Sequence, residues 1–221
     1  MQRFIRFLLM RWSAFLDRLL VRRRAGSVFF GPVLIDRGRG LLYDVERDLT
    51  WLQDTNHAKT TGRTADGQMS WDNARMWVAR LNYQGITNWR LPTARNLDGS
   101  GPCIGDNCRE SELGHLVFTA FARSSPGTKL LNWQPFSIYW SSPEASATEA
   151  FAFKMTGLKQ GRLAKDPWAP DPALGGPIPL ADVVLTWPVH DGDVAAGFLR
   201  RLLEAVMQFM WSANRRVEIE K

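Results

Sequence analysis

Residues 69–93 read MSWDNARMWVARLNYQGITNWRLPT, a run that opens with helical spacing and closes as a short strand running into proline. Trp71, Ala74, Trp77, Val78 and Leu81 recur at three- and four-residue steps, which predicts a helix with Ser70 as its N-cap. Its expected core face is Trp71, Trp77, Val78 and Leu81. Gly85 is expected to end the helix and Pro92 to stop the strand NWRLP. Tryptophan at helical spacing is a core residue far more often than a binding platform, so Trp71, Trp77 and Trp89 are read as buried. Arg90 alternates with Trp89 and Leu91 and should point to the opposite face, paired with a carboxylate.

Working outward, GLLYDVERDLTWLQD gives two short alternating runs, Leu42 to Val45 and Leu49 to Leu52, on either side of ERD. That pattern predicts two strands joined by a turn. The next stretch, 54–68, reads as a polar loop. Beyond Pro92, TARNLDGSGPCIGDNCRESE is a loop leading into a second helix, capped by Ser111, with Leu113, Leu116, Val117 and Phe121 on one side. SIYWSS and EAFAFKM carry apolar residues at period two, with Phe151, Phe153 and Met155 facing one way. Five prolines and two adjacent glycines between Asp166 and Leu180 predict a surface loop, and ADVVLTWPV is the last expected strand.

The chain has 221 residues, 45% of them hydrophobic, which supports one domain with extensions. Its net charge of +6 is not spread over that domain. Residues 1–26 hold Arg3, Arg6, Arg11, Arg18, Arg22, Arg23 and Arg24 against Asp17 alone, which accounts for the whole excess. The remainder is neutral and shows no basic stripe, so nucleic acid is not an expected partner. In the first segment Phe4, Ile5, Leu8, Leu9, Trp12, Phe15, Leu16, Leu19 and Leu20 form one helical stripe. The segment is too short and too charged to span a bilayer, and Arg6 and Arg11 interrupt any signal-peptide core. Its arginine face, Arg3, Arg6, Arg11, Arg18 and Arg22, is expected to meet an anionic membrane surface. Phe198, Leu199, Leu202, Leu203, Val206, Phe209 and Met210 make a second stripe. The expected organisation is a basic amphipathic helix at 1–26, a linker at 27–39, a domain at 40–195, and a C-terminal amphipathic helix and tail at 196–221.

The blocks DLTWLQD, MSWDNARMWVARLNYQGITNWRLPT, CIGDNCRESELGHLVF, YWSSPE and WPVHDGDV occur in an order that resembles the Lcl-type domain, the C-terminal domain of a bacterial collagen-like adhesin, over roughly residues 40–195. WRLPT also resembles the RLPT block of formylglycine-generating proteins, a branch of the C-type-lectin-like folds. The resemblance implies an α+β, C-type-lectin-like irregular fold with short antiparallel strands and two core helices, flanked by the N- and C-terminal amphipathic helices. It implies a non-enzymatic binding or adhesion module for a glycan or another surface polymer, acting outside the cytoplasm. The alternatives are a membrane-surface or protein-interaction protein working through its terminal helices and, more weakly, a formylglycine-generating oxidase.

Cysteine position separates module from oxidase. Cys103 and Cys108 lie in the loop after RLPT, not late in the chain where that enzyme's active-site cysteines belong. By residue type they suit either a disulfide or half of a zinc site, for which only His57, His115 and His190 remain as imidazole ligands. The resemblance implies the disulfide, since the family has a cysteine pair at this place, and a disulfide implies an oxidising compartment. No Gly-x-Ser-x-Gly, phosphate-loop or HExxH motif is present, and no catalytic residue, metal or cofactor is expected. WQPF lacks the acids of the calcium-binding lectin motifs. Asp191 and Asp193 in HDGDV read as a turn. Binding residues on a rigid scaffold concentrate in loops, and a glycan favours exposed aromatic, amide and carboxylate groups, so the candidates are Asp54, Asn56, His57, Asp106, Asn107, Trp133 and Trp168.

Overall fold

The strand pair around ERD is present. β2 (Leu41–Asp44) and β3 (Leu49–Leu52) run antiparallel with Leu42 opposite Trp51, preceded by β1 (Leu34–Gly38), which pairs with β2. The computed structural model describes residues 32–125, 128–168, 170–171, 176–177 and 183–195. Pro32–Ala195 form one compact unit, so the stretch expected to be a linker already supplies a sheet strand. The expected helix at 1–26, its membrane-facing arginines and the expected C-terminal helix and tail at 196–221 lie outside the described residues.

Three short helices follow the chain. α1 (His57–Thr60) is a single turn inside the stretch expected to be loop. α2 (Trp71–Ala79) buries Trp71, Ala74 and Val78, while Trp77 is only partly buried. This corrects the expected core face: Trp77 lies roughly 90° around the helix from the centre of that stripe, and Leu81 falls beyond the last turn, also partly buried. Gly85 does not end the helix. It forms with Gln84 a two-residue turn in which Tyr83 and Ile86 exchange backbone hydrogen bonds, and both central residues have positive φ, 55° and 87°, the form that glycine favours. α3 (Glu112–His115) is capped as expected, with Ser111 Oγ accepting from the Gly114 amide, and continues as a π turn at Leu116–Ala120.

The second sheet contains β4 (Gly105–Asp106), β5 (Ser137–Glu144), β6 (Glu149–Lys154), β7 (Lys159–Ala164) and, beyond the small pair β8 (Pro170–Asp171) and β9 (Gly176–Pro177), β10 (Val183–Leu185). Its order is β10-β5-β6-β7-β4. β7 has no apolar alternation for a sequence reading to find, since its most buried residue is Gln160. The expected last strand divides at Thr186–Pro188. β10 runs parallel to β5, unlike the short antiparallel strands expected, and β11 (Val189–Asp191) crosses to the first sheet and pairs with β3. Pro188 has no amide hydrogen for a ladder, which suits the crossing point. The fold class α+β holds.

Tryptophans fix the two sheets and α2 to one another. Trp71 donates its indole N–H to the Ser141 carbonyl at 2.8 Å, Trp140 to Met69 at 2.9 Å and Trp187 to Leu52 at 2.7 Å. Each ring is at most 1% exposed, so each contributes roughly 1.5–3 kcal/mol of apolar burial without leaving its one polar atom unpaired. Trp89 is buried as well, and its neighbour Arg90 points away from it as the alternation requires. The Arg90 guanidinium meets two carboxylates. Nη1 and Nη2 bind Glu112 at 2.8 and 2.7 Å, and Nη2 also binds Asp191 at 2.6 Å. Burial would lower its pKa, but Glu112 and Asp191 outweigh burial and raise it, so the cation is permanent. Asp191 and Asp193 are therefore more than turn formers: Asp193 binds Arg37 at 2.5 Å.

Candidate binding cleft

The candidate site begins where β3 ends. Leu131 accepts from the Thr55 amide and donates to Gln53, and Thr55 Oγ1 reaches the Leu131 and Asn132 carbonyls, so the 53–56 and 129–132 segments are stitched side by side. At their junction Asp54 acts as a hub. One carboxylate oxygen accepts from the Asn56 amide at 3.0 Å and from Asn132 Nδ2 at 2.8 Å, and the other lies 3.6 Å from His57 Nδ1. Burial pushes the Asp54 carboxyl up, but hydrogen bonds from His57, Thr60, Asn132 and the Asn56 amide outweigh it and hold the group at about 2. Asn132 suits the place twice, tolerating a φ of 55° and spending its amide hydrogens on Asp54 and on Thr60 Oγ1 at 3.0 Å.

Above this hub lies an open cleft of about 420 Å³ lined by Asn56, Lys59, Thr60, Asn132, Trp133 and Gln134. Trp133 is 39% exposed, and its inner edge rests on Phe121 and Trp187, with ring centroids 6.4 and 6.3 Å away. The cleft thus offers a half-free indole, braced from behind, amid the ammonium of Lys59, the hydroxyl of Thr60 and the amides of Asn132 and Gln134, while Asn56 forms its buried floor, bonded to the Asp66 carbonyl.

The expected site residues divide accordingly. Asn56 and Trp133 line the cleft. Asp54, partly buried, and His57, buried, do not line it; Asp54 holds Asn132, and His57 packs on Tyr83 and Trp77. Trp168 lines a different hollow, with Arg63, Thr64, Gln68, Met69, Ser70, Asn73 and Asp166. Asp106 sits on the edge strand β4 against Lys159 at 3.4 Å, and Asn107 takes a left-handed turn position beside it; neither lines the cleft. Lys59, Thr60, Asn132 and Gln134 were missed. The signal for two of them was the pair of amides flanking Trp133 in LNWQP.

Cys103 and Cys108 are joined in a disulfide, with Cα atoms 5.6 Å apart. Gln160 Nε2 fastens their loop to the sheet by donating to the Ala94 and Cys103 carbonyls at 2.8 and 2.7 Å. Among the described residues no cluster of three or more His, Cys, Asp or Glu is arranged to hold a metal ion, and no helix is long and apolar enough to cross a membrane.

The depressed pKa of Asp54 predicts acid sensitivity. Its contribution to stability is complete above its ordinary value of 3.8 and is lost as pH falls through about 2. After discounting for solvent screening it is about 1–2 kcal/mol. Thermal melts at pH 5 and pH 2 should show a larger acid loss in the native protein than in Asp54→Asn; equal losses would remove Asp54 as a hub.

No curated protein and no solved structure matches the chain. The family model described as the Lcl C-terminal domain matches residues 40–168, more than half of the chain, and the chain belongs to that family.

Proposed function

We propose that this protein is a non-enzymatic binding module on a C-type-lectin-like scaffold, acting outside the cytoplasm and holding a glycan of a surface polymer in the cleft at Trp133. The observation that carries this reading is the braced, half-exposed indole of Trp133 set among Lys59, Thr60, Asn132 and Gln134. A sugar ring has an apolar C–H face and an equatorial rim of hydroxyls. The indole matches the first, and the amides, hydroxyl and ammonium match the second as mixed donors and acceptors. Asp54 supports the site from below, because its fixed negative charge orients Asn132 and Thr60 before any ligand arrives, which lowers the ordering cost of binding.

The Cys103–Cys108 disulfide favours an oxidising compartment, and family membership favours a module that binds over one that turns over substrate. The test is retention of the full chain on an array of neutral and acidic oligosaccharides, with calorimetry on whatever is retained. Saturable binding at micromolar to millimolar concentration without consumption of the glycan is the expected outcome. Absence of any retained glycan would overturn the reading, and release of a modified sugar would overturn its non-enzymatic part.

A further inference from the structure

Apart from the partly buried Trp77, the tryptophans of the described fold fall into two groups. Trp51, Trp71, Trp89, Trp140 and Trp187 are at most 2% exposed and belong to the core, whereas Trp133 and Trp168 are 39% and 38% exposed. Each of these two lines an open hollow, of about 420 and 390 Å³. The hollows flank one loop. Asn56, on the wall of the first, donates through Nδ2 to the Asp66 carbonyl at 3.1 Å, and the Asp66 carboxylate holds the amide and side chain of Gln68, on the wall of the second, at 2.9 and 2.8 Å.

The second hollow has the same chemistry as the first. The backbone carrying its indole is anchored: the Trp168 amide bonds to the Asp166 carboxylate, and the Lys165 carbonyl three residues earlier accepts from the Trp71 amide at 2.8 Å, tying the segment to the start of α2. Ser70 stands at the N-cap of α2 but makes no side-chain capping bond, so its hydroxyl is free for another partner. Asn73 projects from the first turn with its side chain exposed. Thr64 Oγ1 is buried in the wall and has no hydrogen-bond partner, a cost that a ligand hydroxyl at this place would offset.

We propose that the Trp168 hollow is a second subsite for the same polymer, so that the ligand is the interior of an oligosaccharide several sugars long, lying across the 56–68 loop, and not a single terminal sugar. This rests on the reading of the Trp133 cleft given above. Both hollows being open, a chain can enter and leave each without ending there. Two subsites on one loop act as linked sites, and the second engagement adds affinity without a second loss of translational freedom.

The test uses the full chain and ladders of cello- and chito-oligosaccharides from two to eight sugars, with affinity read by calorimetry. The expected result is at least a tenfold gain from the disaccharide to the longest member. Trp168→Ala should lose that gain while holding the disaccharide affinity within about twofold, and Trp133→Ala should weaken all lengths. Asn73→Ala, an exposed helix position, provides a second variant that leaves folding intact and should lose part of the same gain. Equal affinity at every length, or a length dependence untouched by both Trp168→Ala and Asn73→Ala, would overturn the second subsite while leaving the Trp133 cleft standing. Absence of binding by any member of either ladder would overturn this proposal together with its choice of polymer, whereas the array result alone decides the reading of the cleft.

Discussion

Replacing Arg90 with methionine is expected to lower the thermal midpoint by roughly 6–12 °C, the equivalent of about 3 kcal/mol in a domain of this size. Methionine keeps most of the side chain's length, so the loss isolates the charge. Without the guanidinium, Glu112 keeps the Thr93 amide at 2.8 Å but loses both bonds of a bidentate pair, and its side chain is only 11% exposed. An uncompensated carboxylate at that depth costs more than the pair itself contributed. The same residue ties the start of α3 to β11 through Asp191, so its removal loosens a junction between helix and sheet. Arg90→Lys should recover less than half of the loss, because an ammonium cannot present the planar fork that meets both Glu112 oxygens. Asp191→Asn should cost far less, since that carboxylate is 73% exposed. Differential scanning calorimetry checks all three; a midpoint for Arg90→Met within about 2 °C of the native protein would reduce the network to a surface ornament.

Much of this junction was legible because its signals are local. Trp89, Arg90 and Leu91 alternate, and alternation alone places the arginine opposite two core residues and so in need of a carboxylate. Ser111 before an apolar period, and the ERD turn between two short runs, are likewise decided by a few neighbouring residues. The misplaced elements depend on tertiary context. Trp77 has the right residue type at nearly the right spacing, but which 100° of a nine-residue helix faces inward is set by what it packs on. The parallel pairing of β10 with β5 joins segments some 45 residues apart, and no local pattern specifies it. The cleft was half legible for the same reason. Asn56 and Trp133 were found because loop amides and aromatics draw attention individually, whereas Thr60 and Asn132 acquire meaning only when Asp54 brings the 54–60 and 131–134 segments together. Asp54 was read as a ligand contact, and a carboxylate written in a loop gives no sign that it will accept from the Asn56 amide and from Asn132.

Replacing Trp133 with alanine is the substitution with the largest expected effect on binding. The indole supplies the cleft's one broad apolar face, and such anchors typically account for about 1.5–3 kcal/mol at a binding site, a loss of tenfold or more in affinity. Stability should change little by comparison, about 1 kcal/mol, because the ring is 39% exposed and touches the core only along the edge against Phe121 and Trp187. Trp133→Phe should fall between the two, keeping a flat face of smaller area. The polar partners remain in place in both variants, held by Asp54.

Calorimetric titration of the full chain and of Trp133→Ala with the glycan best retained on the array tests the central claim most directly. The cleft reading predicts one saturable binding event in the native protein and an affinity at least tenfold weaker in the variant, with both proteins melting within a few degrees of each other. Equal affinity in two equally folded proteins would place the ligand elsewhere on the molecule and contradict it.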